Sequence, residues 1–65
     1  MTMHDLLTIG LITDEDKITI LRPLLTAADI RKGHWYNDHI LAFHNKEIAD
    51  LSWNEEKGFF IKVKG

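Results

Sequence analysis

The chain has 65 residues, no cysteine and a formal net charge of −2, with 45% hydrophobic and 28% charged residues. A chain of this length forms one small domain that buries only about 60% of the surface its unfolded form exposes, and it has neither a disulfide nor a thiolate-bound metal to stabilise it. The composition is typical of a folded domain, and the weak negative charge argues against general binding to nucleic acid.

The N-terminal segment reads MTMHDLLTIGLIT and does not match a secretory signal, because Asp5 stands where such a signal has basic residues. No apolar run approaches the roughly 18 residues needed to span a membrane. We therefore expect a cytoplasmic protein. The apolar residues within 3–9 predict a short helix, and Gly10 is a typical residue to end it.

The segment KITILR, at residues 17–22, predicts the first strand. Ile18 and Ile20 share one face of it, and β-branched residues are typical of strands. Pro23 follows directly, and proline is found at the edges and ends of strands. The strand is therefore expected to end at Arg22 and Pro23.

Residues 24–33 allow two interpretations. Thr26 and Asp29 have the spacing of a helix capping box, and Gly33 suits the end of a short helix. The apolar residues of this segment, however, form no helical stripe. We therefore favour an extended segment over the one-turn helix.

The segment GHWYNDHIL, at residues 33–41, concentrates two aromatic residues, two histidines, an amide and a carboxylate. Asn37 is a typical N-cap residue, and Asp38 suits the first turn of a helix. We predict a helix over residues 38–44. In a domain this small, the two aromatic side chains are expected to pack over the core, to contact a partner, or to do both.

The last third of the chain contains two strand patterns, KEIADLSW and FFIKVK, separated by NEEKG. Folding them as an antiparallel hairpin brings apolar side chains together on one face. The predicted pairs are Trp53–Phe59, Leu51–Ile61 and Ala49–Val63 on that face, and Asp50–Lys62 and Ser52–Phe60 on the other. A shift by one residue would move the apolar set into water, so the pattern specifies this register.

Together these patterns predict an α+β domain over residues 1–65, with a small antiparallel sheet of three to four strands and one or two short helices. The predicted hairpin leaves Phe60 on the face opposite Trp53, beside Ile48. If helices cover only one face of the sheet, Ile48 and Phe60 form an exposed apolar patch. If helices cover both faces, the two side chains are buried, and the sequence leaves both arrangements open.

Residue types that serve catalysis or metal binding are present, but their spacing is unsuitable. His34, His39 and His44 lie five residues apart, a spacing that brings neighbours together neither on a helix nor along a strand face. The only serine, Ser52, lies within a predicted strand, and there is no glycine-rich phosphate loop. So short a chain also has little room for a pocket. We therefore predict a protein that is not an enzyme, with no catalytic residues, no cofactor and no metal.

Candidate partner-binding residues are those with side chains typical of protein interfaces. Aromatic and charged residues of the central segment and of the last strand meet this description. They are Trp35, Tyr36, Asp38, His39, Phe60 and Lys62.

The order of these motifs resembles that of small uncharacterised early proteins of phages and prophages of Gram-positive bacteria. Many of those proteins have the layout D-K-I-x-I, then G-x-W-x-x-D-x-I-L, then V/I-x-x-L/F, then I-x-I. The matching residues here are Asp16, Lys17, Ile18 and Ile20, then Gly33, Trp35, Asp38, Ile40 and Leu41, then Ile48 and Leu51, and finally Ile61 and Val63. The resemblance covers most of the chain and implies a compact α+β protein.

Small phage proteins of this kind often bind one host protein and block it. The resemblance therefore implies a non-enzymatic interaction protein in the host cytoplasm that inhibits a host protein, such as a CRISPR or other defence nuclease. One alternative is a small dimeric nucleic-acid-binding regulator. The basic residues it would use are Arg31, Lys32, Lys46, Lys62 and Lys64. Another alternative is a homo-oligomer, in the simplest case a homodimer, with a ligand site where the copies meet.

Overall fold

The computed structural model describes residues 1–64 and contains two short helices and a four-stranded sheet. In chain order the elements are α1 (Met3–Thr8), β1 (Ile18–Pro23), β2 (Ala28–Gly33), α2 (Asp38–Leu41), β3 (Ile48–Asn54) and β4 (Gly58–Val63). The strands lie in the order β2-β1-β4-β3. The predicted α+β class is confirmed.

The sheet is mixed, so the prediction of an antiparallel sheet is wrong for its central pair. β1 pairs with β2 and β3 pairs with β4 as antiparallel hairpins, but β1 and β4 are parallel, with Ile18 beside Phe59 and Ile20 beside Ile61. The two hairpin pairings are local and follow from turns and side-chain alternation. The β1–β4 pairing joins distant segments, and it brings the most apolar strands together at the centre of the sheet.

Helix α1 begins at a capping box, which was not predicted from the sequence. The Thr2 side chain accepts a hydrogen bond from the Asp5 N–H, and the Asp5 carboxylate accepts one of 2.9 Å from the Thr2 N–H. This backbone hydrogen bond lowers the pKa of Asp5 below its ordinary value of 3.8. The helix ends before Gly10, which has a φ of +80°.

The N-terminal segment is also tied to the strand at the far edge of the sheet. The Ile48 N–H donates to the Met1 carbonyl oxygen at 2.7 Å, and Thr2 forms an isolated bridge with Glu47. The N-terminal ammonium group lies 2.8 Å from Oε1 of Glu47, and this hydrogen bond lowers the pKa of the Glu47 carboxyl group. The start of β3 is therefore covered by the first residues of the chain.

The extended interpretation of residues 24–33 is correct for Ala28–Gly33, which form β2. The Leu24 N–H donates to the Ala27 carbonyl oxygen at 2.8 Å and closes a tight turn between β1 and β2. The capping box suggested by Thr26 and Asp29 does not form. Asp29 instead lies opposite Arg22 in the sheet and forms an ion pair with it.

Helix α2 is shorter than predicted, with four residues from Asp38 to Leu41. Asn37 occupies its N-cap position, but its side chain makes no capping hydrogen bond. The Asn37 Oδ1 accepts a hydrogen bond of 2.7 Å from the His34 N–H, so the amide stabilises the preceding turn instead. The helix is one turn long, and residues 42–45 continue as turns.

The β3–β4 hairpin has the predicted register at all but one position. Trp53–Phe59, Leu51–Ile61, Asp50–Lys62 and Ser52–Phe60 pair as predicted, but Val63 pairs with Ile48. The predicted Ala49–Val63 pair is therefore wrong. The register shifts between Ile48 and Asp50, and an extra residue of this kind bends a strand and turns its side chains. The shift directs Ile48 against the core, where it is partly buried.

The core lies on one side of the sheet. It consists of Met3, Leu6, Ile12, Ile18, Ile20, Ile40, Phe43, Phe59, Ile61 and Val63. Both helices contribute to this one cluster, together with the side chains that β1 and β4 direct to the same side. The structure therefore has two layers, and the opposite side of the sheet carries no helix among the described residues.

Candidate interaction surface

The side of the sheet that faces away from the core is here called the outer face. The register places two rows of side chains across it, in the order β2, β1, β4, β3. The rows are Lys32, Thr19, Phe60 and Ser52, and Ile30, Leu21, Lys62 and Asp50. The apolar side chains Ile30, Leu21 and Phe60 thus follow one another across β2, β1 and β4, with Lys32 and Lys62 on either side of them and Asp50 in the edge strand β3.

Three neighbouring residues, in β2, β1 and β4, form an apolar patch on the outer face. Ile30 is 55% exposed, whereas Leu21 and Phe60 are half-buried by their strand neighbours. Thr19 lies between Lys32 and Phe60 and is buried, the only polar residue so covered among the described residues. Exposed contiguous apolar surface of this kind marks contact sites in soluble proteins.

The apolar surface continues towards the β1–β2 turn. Leu24 is 48% exposed, and Leu25 is as exposed as an isolated residue. Pro23 and Ala28 lie opposite each other at the end of the strands that lead to this turn. The turn therefore projects apolar side chains beyond the ends of β1 and β2.

The six predicted partner-binding residues fall into two separate groups. Phe60 and Lys62 lie on the outer face, in β4. The other four lie in the β2–α2 connection and in α2, which belong to the core side of the sheet. The structure therefore does not bring the six residues into one site.

The β2–α2 connection forms an aromatic cluster. Trp35 packs partly against the core, and its Nε1–H donates to Oδ1 of Asp14 at 2.7 Å. Tyr36 is 49% exposed, meets Trp35 edge-on and stacks on the ring of His34 at 5.3 Å between centroids. Trp35 is thus partly structural, whereas Tyr36 is available at the surface.

The two predicted residues of α2 differ in their contacts. Asp38 is exposed, in the first turn of the helix. The His39 Nε2–H donates to the carbonyl oxygen of Lys32 at 2.6 Å, and the His39 carbonyl oxygen accepts from Arg31 at 3.1 Å. His39 therefore holds α2 against the edge of β2.

The predicted Ile48–Phe60 patch does not form, because the register shift in β3 turns Ile48 to the core side. Phe60 instead has Leu21 and Ile30 as its apolar neighbours on the outer face. The prediction identified Phe60 from the hairpin register. It missed Leu21 and Ile30 because their position beside Phe60 depends on the parallel β1–β4 pairing.

A charged cluster on the core side of β1 and β2 was also missed. Arg22 and Arg31 approach the same Oδ2 atom of Asp29, at 3.6 and 3.3 Å. Both guanidinium groups lie over the ring of Phe43, at 5.5 and 4.6 Å from its centroid. With one carboxylate for two guanidinium groups, the cluster retains a positive charge, and the buried Nε of Arg22 has no hydrogen-bond partner.

The histidines do not form a metal-binding group within residues 1–64, where no three histidine or acidic side chains come together. His4 and His44 do approach each other, edge to face at 6.2 Å between ring centroids. The His44 Nδ1 is hydrogen-bonded to the Leu41 carbonyl oxygen. The part of the chain that the structure describes encloses no cavity, and none of its helices is long and apolar enough to cross a membrane.

Comparison of the chain with protein-family models, with curated proteins and with solved structures gives no significant match.

Proposed function

We propose that this chain is a small protein-binding domain without catalytic activity, which contacts its partner through the outer face. The observation that supports this function is the apolar patch of that face, formed by Leu21, Ile30 and Phe60 and not covered by either helix. A small domain has few apolar side chains to bury, so leaving these at the surface indicates that another molecule covers them.

The charges around the apolar patch indicate which partner surface fits. Lys32 and Lys62 both lie on the outer face, whereas Asp50 is the only acidic residue in the two rows and sits beside Lys62. The face is therefore positive, although the whole chain has a net charge of −2. An apolar patch bordered by acidic residues on the partner is complementary to it.

The resemblance to phage early proteins supports a more specific proposal, that the partner is a host protein which this chain inhibits. A CRISPR or other defence nuclease is the kind of host protein that the resemblance implies. An inhibitor of this kind acts by occupying a surface of its target and needs no active site of its own. Capturing the host protein would identify it.

The test is capture from a lysate of a Gram-positive host, with and without nuclease, followed by a direct binding assay with the purified captured protein. Phe60→Ser and Ile30→Ser remove apolar side chains from the outer face. Trp53→Ser is the matched control, because Trp53 is 58% exposed but belongs to the opposite side of the sheet.

We expect both outer-face variants to fold and to lose the partner, and the Trp53→Ser variant to retain it. Direct binding that survives Phe60→Ser and Ile30→Ser would contradict the outer face as the contact surface. If the wild-type chain binds no protein directly, the proposed function itself is wrong.

A second candidate, binding of single-stranded nucleic acid, is favoured by one observation. Phe60 lies on the open face of a sheet, two residues from Lys62 along β4 and across Thr19 from Lys32, and aromatic and basic side chains of this kind bind bases and phosphates together. Such binding would be abolished by nuclease treatment and would weaken steeply as salt is raised. The net negative charge argues against this function, and the nuclease control separates it from the first.

A further inference from the structure

The edge of β2 has backbone groups that the sheet leaves free. In an antiparallel pair, hydrogen-bonded and non-hydrogen-bonded residue pairs alternate. The bond from the Leu24 N–H to the Ala27 carbonyl oxygen fixes this alternation. The hydrogen-bonded pairs are then Arg22–Asp29, Ile20–Arg31 and Ile18–Gly33, and the others are Pro23–Ala28, Leu21–Ile30 and Thr19–Lys32.

Two independent observations agree with this alternation. Pro23 has no N–H, and its pair with Ala28 is one that requires none. On the other side of β1, the Phe59 N–H donates to the Lys17 carbonyl oxygen at 2.9 Å, so odd-numbered residues of β1 face β4. The even-numbered residues of β1 therefore face β2.

Because β2 is an edge strand, the N–H and C=O groups of Ala28, Ile30 and Lys32 point away from the sheet. The Lys32 carbonyl oxygen is bound by His39. Within residues 1–64, no side chain or turn bonds to the backbone groups of Ala28 and Ile30. The free part of this edge therefore ends before Lys32, whose carbonyl oxygen is hydrogen-bonded to the His39 ring.

The opposite edge of the sheet is closed by the chain itself. The outward N–H of Leu51 donates to its neighbour's carboxylate, Oδ1 of Asp50, at 2.9 Å. The Ile48 N–H donates to the Met1 carbonyl oxygen, and the strand is bent by its register shift. These are features that prevent a further strand from pairing, and the edge of β2 lacks them over Ala28–Ile30.

The side chains at the free edge define the chemistry of a strand that would pair there. Ile30 is 55% exposed on the outer face and offers an apolar neighbour. The Arg31 side chain lies on the core side of β2 and is one-third exposed. It belongs to the cluster in which the guanidinium groups of Arg22 and Arg31 share the Asp29 carboxylate. An acidic side chain beside Arg31 would neutralise this cluster.

We propose that the Ala28–Arg31 edge of β2 binds an extended segment of a partner protein as an added strand. The segment carries an acidic side chain beside Arg31 and an apolar side chain beside Ile30. The backbone groups of Ala28 and Ile30 supply the hydrogen bonds, and the two side-chain contacts supply the specificity. This inference rests on the proposed protein-binding function and names the structural element that the partner engages.

The test uses the full-length chain labelled with ¹⁵N and a synthetic ten-residue peptide in which glutamate alternates with valine and threonine. We expect the amide signals of Ala28 and Ile30 to shift downfield and their hydrogen exchange to slow as peptide is added. The same peptide with lysine in place of glutamate should lose this binding, because it places a cation beside Arg31. No change at these amides at millimolar peptide would overturn the inference.

Substitutions at the edge separate backbone pairing from side-chain contact. Ile30→Pro removes an outward N–H, which edge strands tolerate, together with the isoleucine side chain, and it should abolish peptide binding. Ile30→Ala also loses most of the apolar side chain but keeps the N–H, and it should retain part of the binding. If Ile30→Pro unfolds the chain, Ala28→Pro with Ala28→Ser as its control makes the same comparison one outward residue earlier. Peptide binding that is equal in the folded proline and control variants would contradict an added strand.

The outcomes also distinguish this inference from the proposed function. A protein partner that binds the Ala28→Pro variant but not the Phe60→Ser variant would leave the proposed function standing and remove the β2 edge. If the peptide binds at Ala28 and Ile30 but the lysate holds no direct protein partner, the β2 edge stands as a strand-binding site and the proposed function is wrong. If the amides of Ala28 and Ile30 change with protein concentration alone, a second copy occupies the edge and the inference is wrong.

Discussion

Trp35 and Asp14, which are 21 residues apart in the chain, are joined by a hydrogen bond of 2.7 Å from the indole Nε1–H to Oδ1. The bond links the turn before β1 to the connection between β2 and α2. The side chain of Trp35 also packs against the core, so one residue both covers the end of the core and fixes a neighbouring loop.

We expect Trp35→Phe to lower the free energy of unfolding by about 1 to 2 kcal/mol, because it removes a hydrogen bond to a charged acceptor and some buried area. Urea denaturation measures the change. Asp14→Ala removes the same bond from the other side. In the double variant the two effects should not add, and full additivity would show that the bond does not contribute to stability.

Alanine substitutions at Gly58 and at Gly10 can be compared to measure how much stability depends on close packing in the β3–β4 turn. Both have a positive φ, +67° and +80°, so alanine at either position is strained by about 1 to 2 kcal/mol. A Cβ at Gly58 would also overlap the backbone carbonyl group of Lys17, whereas a Cβ at Gly10 meets nothing.

Gly58→Ala should therefore destabilise the chain by clearly more than Gly10→Ala, and the excess measures the overlap with Lys17. The clash involves backbone atoms that the Phe59 N–H also bonds, so it cannot be relieved by moving a side chain. Thermal denaturation of the two variants tests this. Equal losses would contradict the close approach of the β3–β4 turn to β1.

The stability of the chain should fall as the pH drops below about 5. The pKa of Asp5 is lowered by its hydrogen bond with the Thr2 backbone, and the pKa of Glu47 by its hydrogen bond with the N-terminal ammonium group. A carboxyl group whose pKa is lower in the folded state stabilises that state above its unfolded pKa. The contribution is lost as the pH falls through the folded pKa.

Melting temperatures measured between pH 7 and pH 2.5 test this dependence. The Asp5→Asn, Glu47→Gln double variant should melt below the wild type at neutral pH and lose less of its melting temperature on acidification. Since both carboxylates are exposed to solvent, the effect should shrink in high salt. A double variant with the same acid dependence as the wild type would show that other groups control it.

The parts of this fold that could be predicted from sequence are those determined by neighbouring residues. Alternation of Leu51, Trp53, Phe59 and Ile61 was sufficient for the β3–β4 register, and the loop residues 54–58 were sufficient to locate that hairpin. The β1–β2 hairpin was not predicted. Alternation does not reveal an extra residue, so the shift at Ile48 could not be predicted. That shift depends on which residue packs against the core.

The outer face was predictable only in part, because some of its neighbours come from distant segments of the chain. Phe60 follows from the hairpin, but the parallel pairing that brings Leu21 beside Lys62 joins segments about 40 residues apart. Residue type alone also could not separate Trp35, which packs inward, from Tyr36, which is exposed. Interface residues chosen by chemistry therefore included members of two different surfaces.

Ile20 and Ile30 test the assignment of the two faces of the sheet. Ile20 is 1% exposed in the core, whereas Ile30 is 55% exposed on the outer face. We expect Ile20→Ala to cost about 2 to 5 kcal/mol because it leaves a cavity, and Ile30→Ala less than about 1 kcal/mol because its site is already open to water. Equilibrium denaturation in urea measures both.

A cost at Ile30 as large as that at Ile20 would mean that the outer face is covered in solution by another part of the chain or by a second copy. An increase of the Ile30→Ala cost with protein concentration would identify the second copy.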